Sequence, residues 1–391
     1  MTADRDMVSC EAIAAPFTHL ALFALALAPL FVVVDANANI ACVAALTVIA
    51  GAYRSVRPAS EGSGEVMTRD DAARFPIIGS CVLFGAFLAF KFLPKELLDV
   101  VFGAYFGVLG TFAISAVITP LVHKCVFLSR DLRSHPLFVV PRVKWLNEER
   151  WVAECTAAEA IATALAGGFS YWYLTQKHWL ANNALGLSFS LQGIEYLTID
   201  SVQIGSILLA GLFVYDVFWV FCTPVMVSVA RSFDAPIKLL FPRVAASAIA
   251  GADKPFSMLG LGDIVIPGLY VAMILRMDAA RVAAHAAPKR ALTRSASKAT
   301  SRAPPPAKGD EVPKYFPAVA IGYVMGIVTT IVVMNVFNAA QPALLYIVPG
   351  VLGATFIRAV IAGEVSTVWA YCEGLEEAQA ERDAAENAKN K

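Results

Sequence analysis

Leu209-Ala210-Gly211-Leu212-Phe213-Val214-Tyr215-Asp216-Val217-Phe218-Trp219-Val220-Phe221 is an apolar stretch broken by one acid, and Asp216 is the only charge in residues 203–230. The run is apolar all round, whereas a water-facing helix keeps a polar stripe. About 20 apolar residues in helical form cross a bilayer. Residues 255–275 repeat the theme in Met258-Leu259-Gly260-Leu261-Gly262-Asp263-Ile264-Val265-Ile266-Pro267-Gly268, where Asp263 is again the only charge. An ionised aspartate at the centre of a membrane helix costs about 2.5–3.5 kcal/mol on insertion scales. Two of them in successive runs call for a purpose.

Working outward, apolar runs recur at 12–34, 36–53, 75–93, 100–122, 153–175, 179–197, 203–230, 255–275, 316–337 and 342–362. Only 16% of the 391 residues are charged, well below the roughly 25% of soluble domains. Lipid tolerates only helices or closed barrels, and these runs lack the alternation of barrel strands. The expected fold is therefore an all-α polytopic membrane protein of about nine transmembrane helices. Gly103/Gly107 and Gly322/Gly326 provide small-residue pairs for close helix packing. The seven cysteines are scattered and odd in number, so neither a disulfide scaffold nor a zinc site is expected. No metal, cofactor or nucleic-acid partner is expected.

Charge in the loops sets the orientation. Segments 54–74, 123–150 and 276–315 are basic, and with nine spans starting at 36–53 all three fall on one side. The positive-inside rule makes that side cytosolic, together with the C-terminus, and leaves 231–254 luminal. Residues 291–309 read as a structureless linker. Three regions follow: an N-terminal segment 1–35, read either as an extra helix or as a signal peptide; a nine-helix body 36–365 with the basic loop 276–315; and a charged tail 366–391.

Four acids lie in or near spans. Glu159 and Glu195 sit toward helix ends, where structural or interfacial roles are expected. Pro224 follows Asp216 by eight residues and Lys254 precedes Asp263 by nine, so both carboxylates lie roughly 12–14 Å from the luminal boundary at about 1.5 Å per residue. Antiparallel neighbouring helices would bring them face to face. Two carboxylates in contact share a proton. The ionised one can deprotonate a water while the protonated one polarises a carbonyl, as in aspartic proteases. Taken alone, the pair also fits a proton relay in a transporter or channel, and an inert membrane chaperone is a third reading. His19, His123, His135 and His285 are isolated, and His178 belongs to an interfacial belt with Trp172, Tyr173 and Trp179.

Together these residues resemble the GxGD intramembrane aspartyl proteases, specifically the signal peptide peptidase family, which is related to presenilin. Tyr215-Asp216, Gly260-Leu261-Gly262-Asp263 and Pro342-Ala343-Leu344 match the family's three motifs in order. The strings at 177–183, 232–239 and 341–349 are also similar to it, and the resemblance covers roughly 36–365. It implies a presenilin-like bundle, Asp216 and Asp263 as the catalytic pair, and residence in the endoplasmic reticulum membrane. Implied substrates are remnant signal peptides and type II transmembrane helices. Homo-oligomers are a further implication, which nothing in the residues themselves shows.

The supporting residues expected around the pair are Tyr215, Gly260, Leu261, Gly262, Gln341, Pro342, Ala343 and Leu344. Gly260 and Gly262 lack a Cβ, so a backbone can approach and the helix can loosen just before Asp263; they fit plain helix packing as well. Pro342 is expected to open the last span as a first-turn proline, with Gln341 extended before it. Ala343 would admit a close neighbour and Leu344 offer it an apolar contact. An exposed backbone edge near Gly260–Gly262 or Pro342–Leu344 would pair with an unwound substrate.

Overall fold

The computed structural model describes residues 18, 20–32, 34–56, 65–125, 136–140, 153–232, 235–243, 256–296, 314–337 and 341–373. Its helices are α1 (Leu20–Phe31), α2 (Ala36–Ser55), α3 (Arg69–Phe92), α4 (Lys95–Cys125), α5 (Ala157–Gln176), α6 (Trp179–Tyr196), α7 (Val202–Phe221), α8 (Val225–Ser232), α9 (Gly262–Ala296), α10 (Phe316–Phe337), α11 (Leu344–Ala362) and α12 (Val365–Trp369). Six of them, α2, α3, α4, α7, α10 and α11, are long and apolar enough to cross a membrane. Helix α6 is less apolar because its polar side chains face protein. Asn182 and Asn183 are buried, Gln192 donates to the Ala113 carbonyl at 3.0 Å, and Glu195 pairs with Arg54 at 2.6 Å.

Helix starts follow from local chemistry. Asp35 caps α2 by accepting from the Asn37 and Ala38 amides. Thr68 with Asp71 and Thr156 with Glu159 form capping boxes on α3 and α5, which gives Glu159 a structural role. His178 caps α6 through Nδ1 and stacks on Trp172. Pro224 has no N–H and disfavours helix before it; the run 203–230 accordingly divides into α7 and α8.

Helix α2 lies at the centre, with Val43, Ala44 and Val48 fully buried against α6 and α9. Helix α1 adds Leu22 and Ala26 to the same core. Helices α10 and α11 touch backbone to backbone: a Cβ on Gly322 would collide with the Gly350 carbonyl, and one on Gly326 with the Ile347 backbone.

The structure departs from the sequence expectations in three places. The run 255–275 is not one helix. The described strands are β1 (Glu65–Met67), β2 (Pro136–Val140), β3 (Ala153–Thr156), β4 (Leu197–Ile199), β5 (Lys238–Pro242) and β6 (Phe256–Gly260); β6 runs antiparallel to β5, and helix begins only at Gly262. Beyond the span, α9 continues to Ala296, because Ala-rich sequence favours helix; residues 291–296 are therefore helical, while 297–313 lie outside the described residues. The packed body also runs past 365. Cys372 bridges to Ser201, Val368 is buried, and Glu373 accepts from Arg276 at 3.1 Å. Arg276, expected in the basic loop, is itself buried and also donates to Ser55 and to the Ile199 carbonyl. Nearby, Asp278 accepts from the Tyr315 and Phe316 amides and so starts α10. Burial pushes the Glu364 carboxyl up, but hydrogen bonds from Arg281 and Tyr315 outweigh it and hold it below the usual glutamate range.

The α10–α11 contact carries a prediction. Backbone cannot swing aside as a side chain can, so Gly322→Val should cost at least the roughly 1–3 kcal/mol typical of overpacking. Gly353→Ala, which meets open space in mid-helix, should not destabilise and should add up to about 1 kcal/mol through helix propensity. Unfolding of both variants in detergent checks the contrast.

Candidate active site

Helix α11 starts without a side-chain cap of its own, since Ala343 supplies none. The amide of Leu344, its first residue, donates instead to Asp216 Oδ2 on α7 at 3.0 Å. Asp216 is only 3% exposed. An acid from one helix thus serves the unpaired N–H that every helix start leaves behind. The helix begins two residues later than a first-turn proline would give. Pro342 stands before the cap, and it is the Leu344 backbone, not its side chain, that reaches the aspartate.

Asp263 enters from the other side, in the first turn of α9. It is partly buried and close enough to Asp216 for their charges to interact. Its main-chain carbonyl accepts from the hydroxyl of Tyr323, a fully buried residue of α10. Asp263 thus lies at the N-terminus of its own helix, and Asp216, deep in α7, faces the N-terminus of α11; the aligned peptide dipoles at both starts favour negative charge and offset part of the cost of holding it in lipid.

The strand before Asp263 aims it. Ile237 accepts from the Leu261 amide at 2.9 Å, and the buried Leu261 packs on α6 near Gly186. A Cβ on Gly260 would lie 3.4 Å from Asp263 Oδ2, at the edge of ordinary van der Waals contact, so Gly260 adjoins the carboxylate directly. Gly262 differs from expectation: it is exposed, and a Cβ there would meet nothing within 4 Å. No helix loosens before Asp263, because residues 256–260 are already strand. Non-helical backbone at membrane depth survives only where protein satisfies it or a cavity adjoins it. Asn183 satisfies the outer edge of β5, accepting from the Leu240 amide and donating to the Leu240 carbonyl, both at 2.7 Å. Asn182 donates to the Lys238 carbonyl at 2.7 Å. These side chains replace a third strand. Among the described residues β6 pairs only with β5, so its other edge is open.

That edge borders an open cleft lined by Met258, Leu259, Gly260 and Asp263 on one side and by Gln341, Ala343 and Ile347 on another. Asp216 is not in the lining; it lies behind the wall at Leu344, next to the lining Ala343. Tyr215 points elsewhere, toward Gly79 on α3 and Trp219. Gln341 accepts from the Tyr346 hydroxyl at 3.5 Å. Sequence reasoning missed Asn183 and Tyr323 as site residues. The signal for Asn183 was present, since two adjacent amides in an apolar run are costly unless paired.

A polytopic helical bundle that brings one acid to a cleft and a second, buried acid close behind its wall has the build of an intramembrane aspartyl protease. Residues 59–374 match the family model described as signal peptide peptidase. Signal peptide peptidase of Mus musculus is 40% identical over 340 residues, covering 86% of this chain and 82% of the relative. That of Homo sapiens is 40% identical over 340 residues, covering 86% and 83%. Intramembrane protease 2 of Caenorhabditis elegans is 43% identical over 216 residues, covering 55% and 43%. The chain belongs to the signal peptide peptidase family.

Loss of the Asn183 amide should be felt at the site. Asn183→Leu leaves a buried N–H and a buried C=O of Leu240 unsatisfied, at about 1–3 kcal/mol each. A lower melting temperature and at least about a tenfold fall in cleavage of a membrane substrate are expected, measured on the same purified preparation.

Proposed function

We propose that the chain cuts remnant signal peptides and type II membrane helices within the endoplasmic reticulum membrane, with Asp216 and Asp263 as its catalytic pair. The observation that carries this reading is the convergence of the two acids beside a cleft edged by unpaired strand backbone. A substrate helix hides its amides in its own hydrogen bonds and must unwind before attack. The open edge of β6 offers the freed segment new partners, strand against strand. The scissile carbonyl then comes to the pair. The ionised carboxylate takes a proton from water, the water oxygen bonds to the carbonyl carbon, and the protonated carboxyl donates to the carbonyl oxygen. As the C–N bond breaks, the leaving nitrogen takes a proton from the pair. Family membership weighs against the proton-relay alternative.

Asparagine tests the pair cleanly. Asn can still accept from the Leu344 amide, so Asp216→Asn should keep normal thermal stability yet show no cleavage. Asp216→Ala loses the cap as well, at about 0.5–2 kcal/mol. Asp263→Asn should also be inactive. Residual proteolysis above about 1% of wild type in either asparagine variant would remove that residue from the pair.

We further propose that the C-terminus is cytosolic, on the strength of the basic segments at 54–74, 123–150 and 276–315. The chain has no Asn-x-Ser/Thr sequon. An acceptor engineered at Ser301 should therefore stay unmodified in microsomes; glycosylation there would invert the orientation.

A further inference from the structure

We propose that Asn37, in the first turn of α2, is a substrate-binding residue whose side-chain NH₂ donates to an unpaired main-chain carbonyl of the unwound substrate. The inference rests on the protease reading of the cleft and adds to it a contact away from the aspartates.

Asn37 lines the same cleft as Asp263. Its amide is not free to turn. Arg243 Nε donates to Ser257 Oγ at 2.7 Å, and Ser257 Oγ donates to Asn37 Oδ1 at 2.9 Å. Arginine has no acceptor, so the Ser257 oxygen must accept from it, and the single serine hydrogen is left for Asn37. The arm of Asn37 that meets Ser257 is the oxygen, which accepts that hydrogen. Ser257 is only 2% exposed, which shields the relay from water. The other arm, Nδ2 with two hydrogens, has no partner among the described residues.

Apart from the Gln341 amide, the rest of the lining makes such a donor valuable. Ile40, Ile327, Ile331 and Met334 offer no polar group, and the Thr330 hydroxyl already donates to the Gly326 carbonyl at 2.9 Å. An unwound segment in this cleft exposes carbonyls that lipid cannot satisfy. Ser257 precedes Gly260, the neighbour of the Asp263 carboxylate, by three residues of strand. At about 3.3 Å per residue, Asn37 would grip the substrate roughly three residues from the scissile bond.

The test is steady-state cleavage of a synthetic transmembrane signal peptide by the full chain in proteoliposomes. Asn37→Ala should raise KM about three- to tenfold, the range of one neutral hydrogen bond, with kcat within twofold. Asn37→Asp keeps the shape and the acceptor for Ser257 but lacks the donor, and should do the same even if the alanine variant folds poorly. Ser257→Ala frees the amide to rotate and should raise KM by a smaller factor. A substrate carrying a thioamide at the third peptide from the scissile bond should bind more weakly to wild type and show no such penalty with Asn37→Ala. KM within twofold of wild type in both Asn37 variants, an effect on kcat alone, or an equal thioamide penalty in both enzymes would overturn the role of Asn37. Asp263→Asn in the same assay separates the two claims: if it is inactive, the protease reading stands whatever Asn37 does.

Discussion

The hydrogen bond from the Leu344 amide to Asp216 joins two groups that neither helix can satisfy alone. Helix α11 has a bare N–H at its start and no capping side chain. Helix α7 carries a buried acid that makes no ion pair among the described residues, in a stretch where an unpartnered charge is costly. Each supplies what the other lacks, and the bond fixes the depth of α11 relative to α7. Through the glycine contact of α10 with α11 it also sets α10, which donates from Tyr323 to the carbonyl of Asp263. One cap thus links both acids through packed backbone.

The second constraint is the β5–β6 strand pair that leads into Asp263. Strands β5 and β6 leave two edges, and only one is closed. Asn182 and Asn183 cover the β5 side with side-chain amides, whose reach stops there. The β6 side stays open toward the cleft. Closing both edges would give a more stable protein with no place for an extended guest. Leaving both open would expose backbone to lipid, which the membrane does not permit. The asymmetry is what lets a membrane protein keep a reactive strand edge.

Much of this was legible in the residues. Asp216 and Asp263 stood out because charge in a long apolar run has few structural uses, and Pro224 marked the end of α7 because proline acts locally. Gly322 and Gly326 announced a close helix contact. What escaped had non-local causes. Residues 256–260 are a short apolar run, for which periodicity does not separate strand from buried helix; the deciding partners lie on α6 and β5. Arg276 looked like a loop charge because nothing near it in sequence foretells Glu373. The role of Pro342-Ala343-Leu344 rests on a backbone amide, and a main-chain N–H leaves no mark on the choice of residue. Asn37 gains its place in the cleft only from Ser257 and Arg243, both more than 200 positions away.

The joint use of the two acids is tested most directly by an experimental structure of the wild-type chain with a transition-state analogue bearing a hydroxyl in place of the scissile carbonyl. The hydroxyl should lie within hydrogen-bond reach of both Asp216 and Asp263, with the analogue's backbone extended along β6 and the Leu344 amide still on Asp216. An analogue that fills the cleft while touching only one aspartate, or a structure in which Leu344 and Asp216 stand apart, would contradict the pairing.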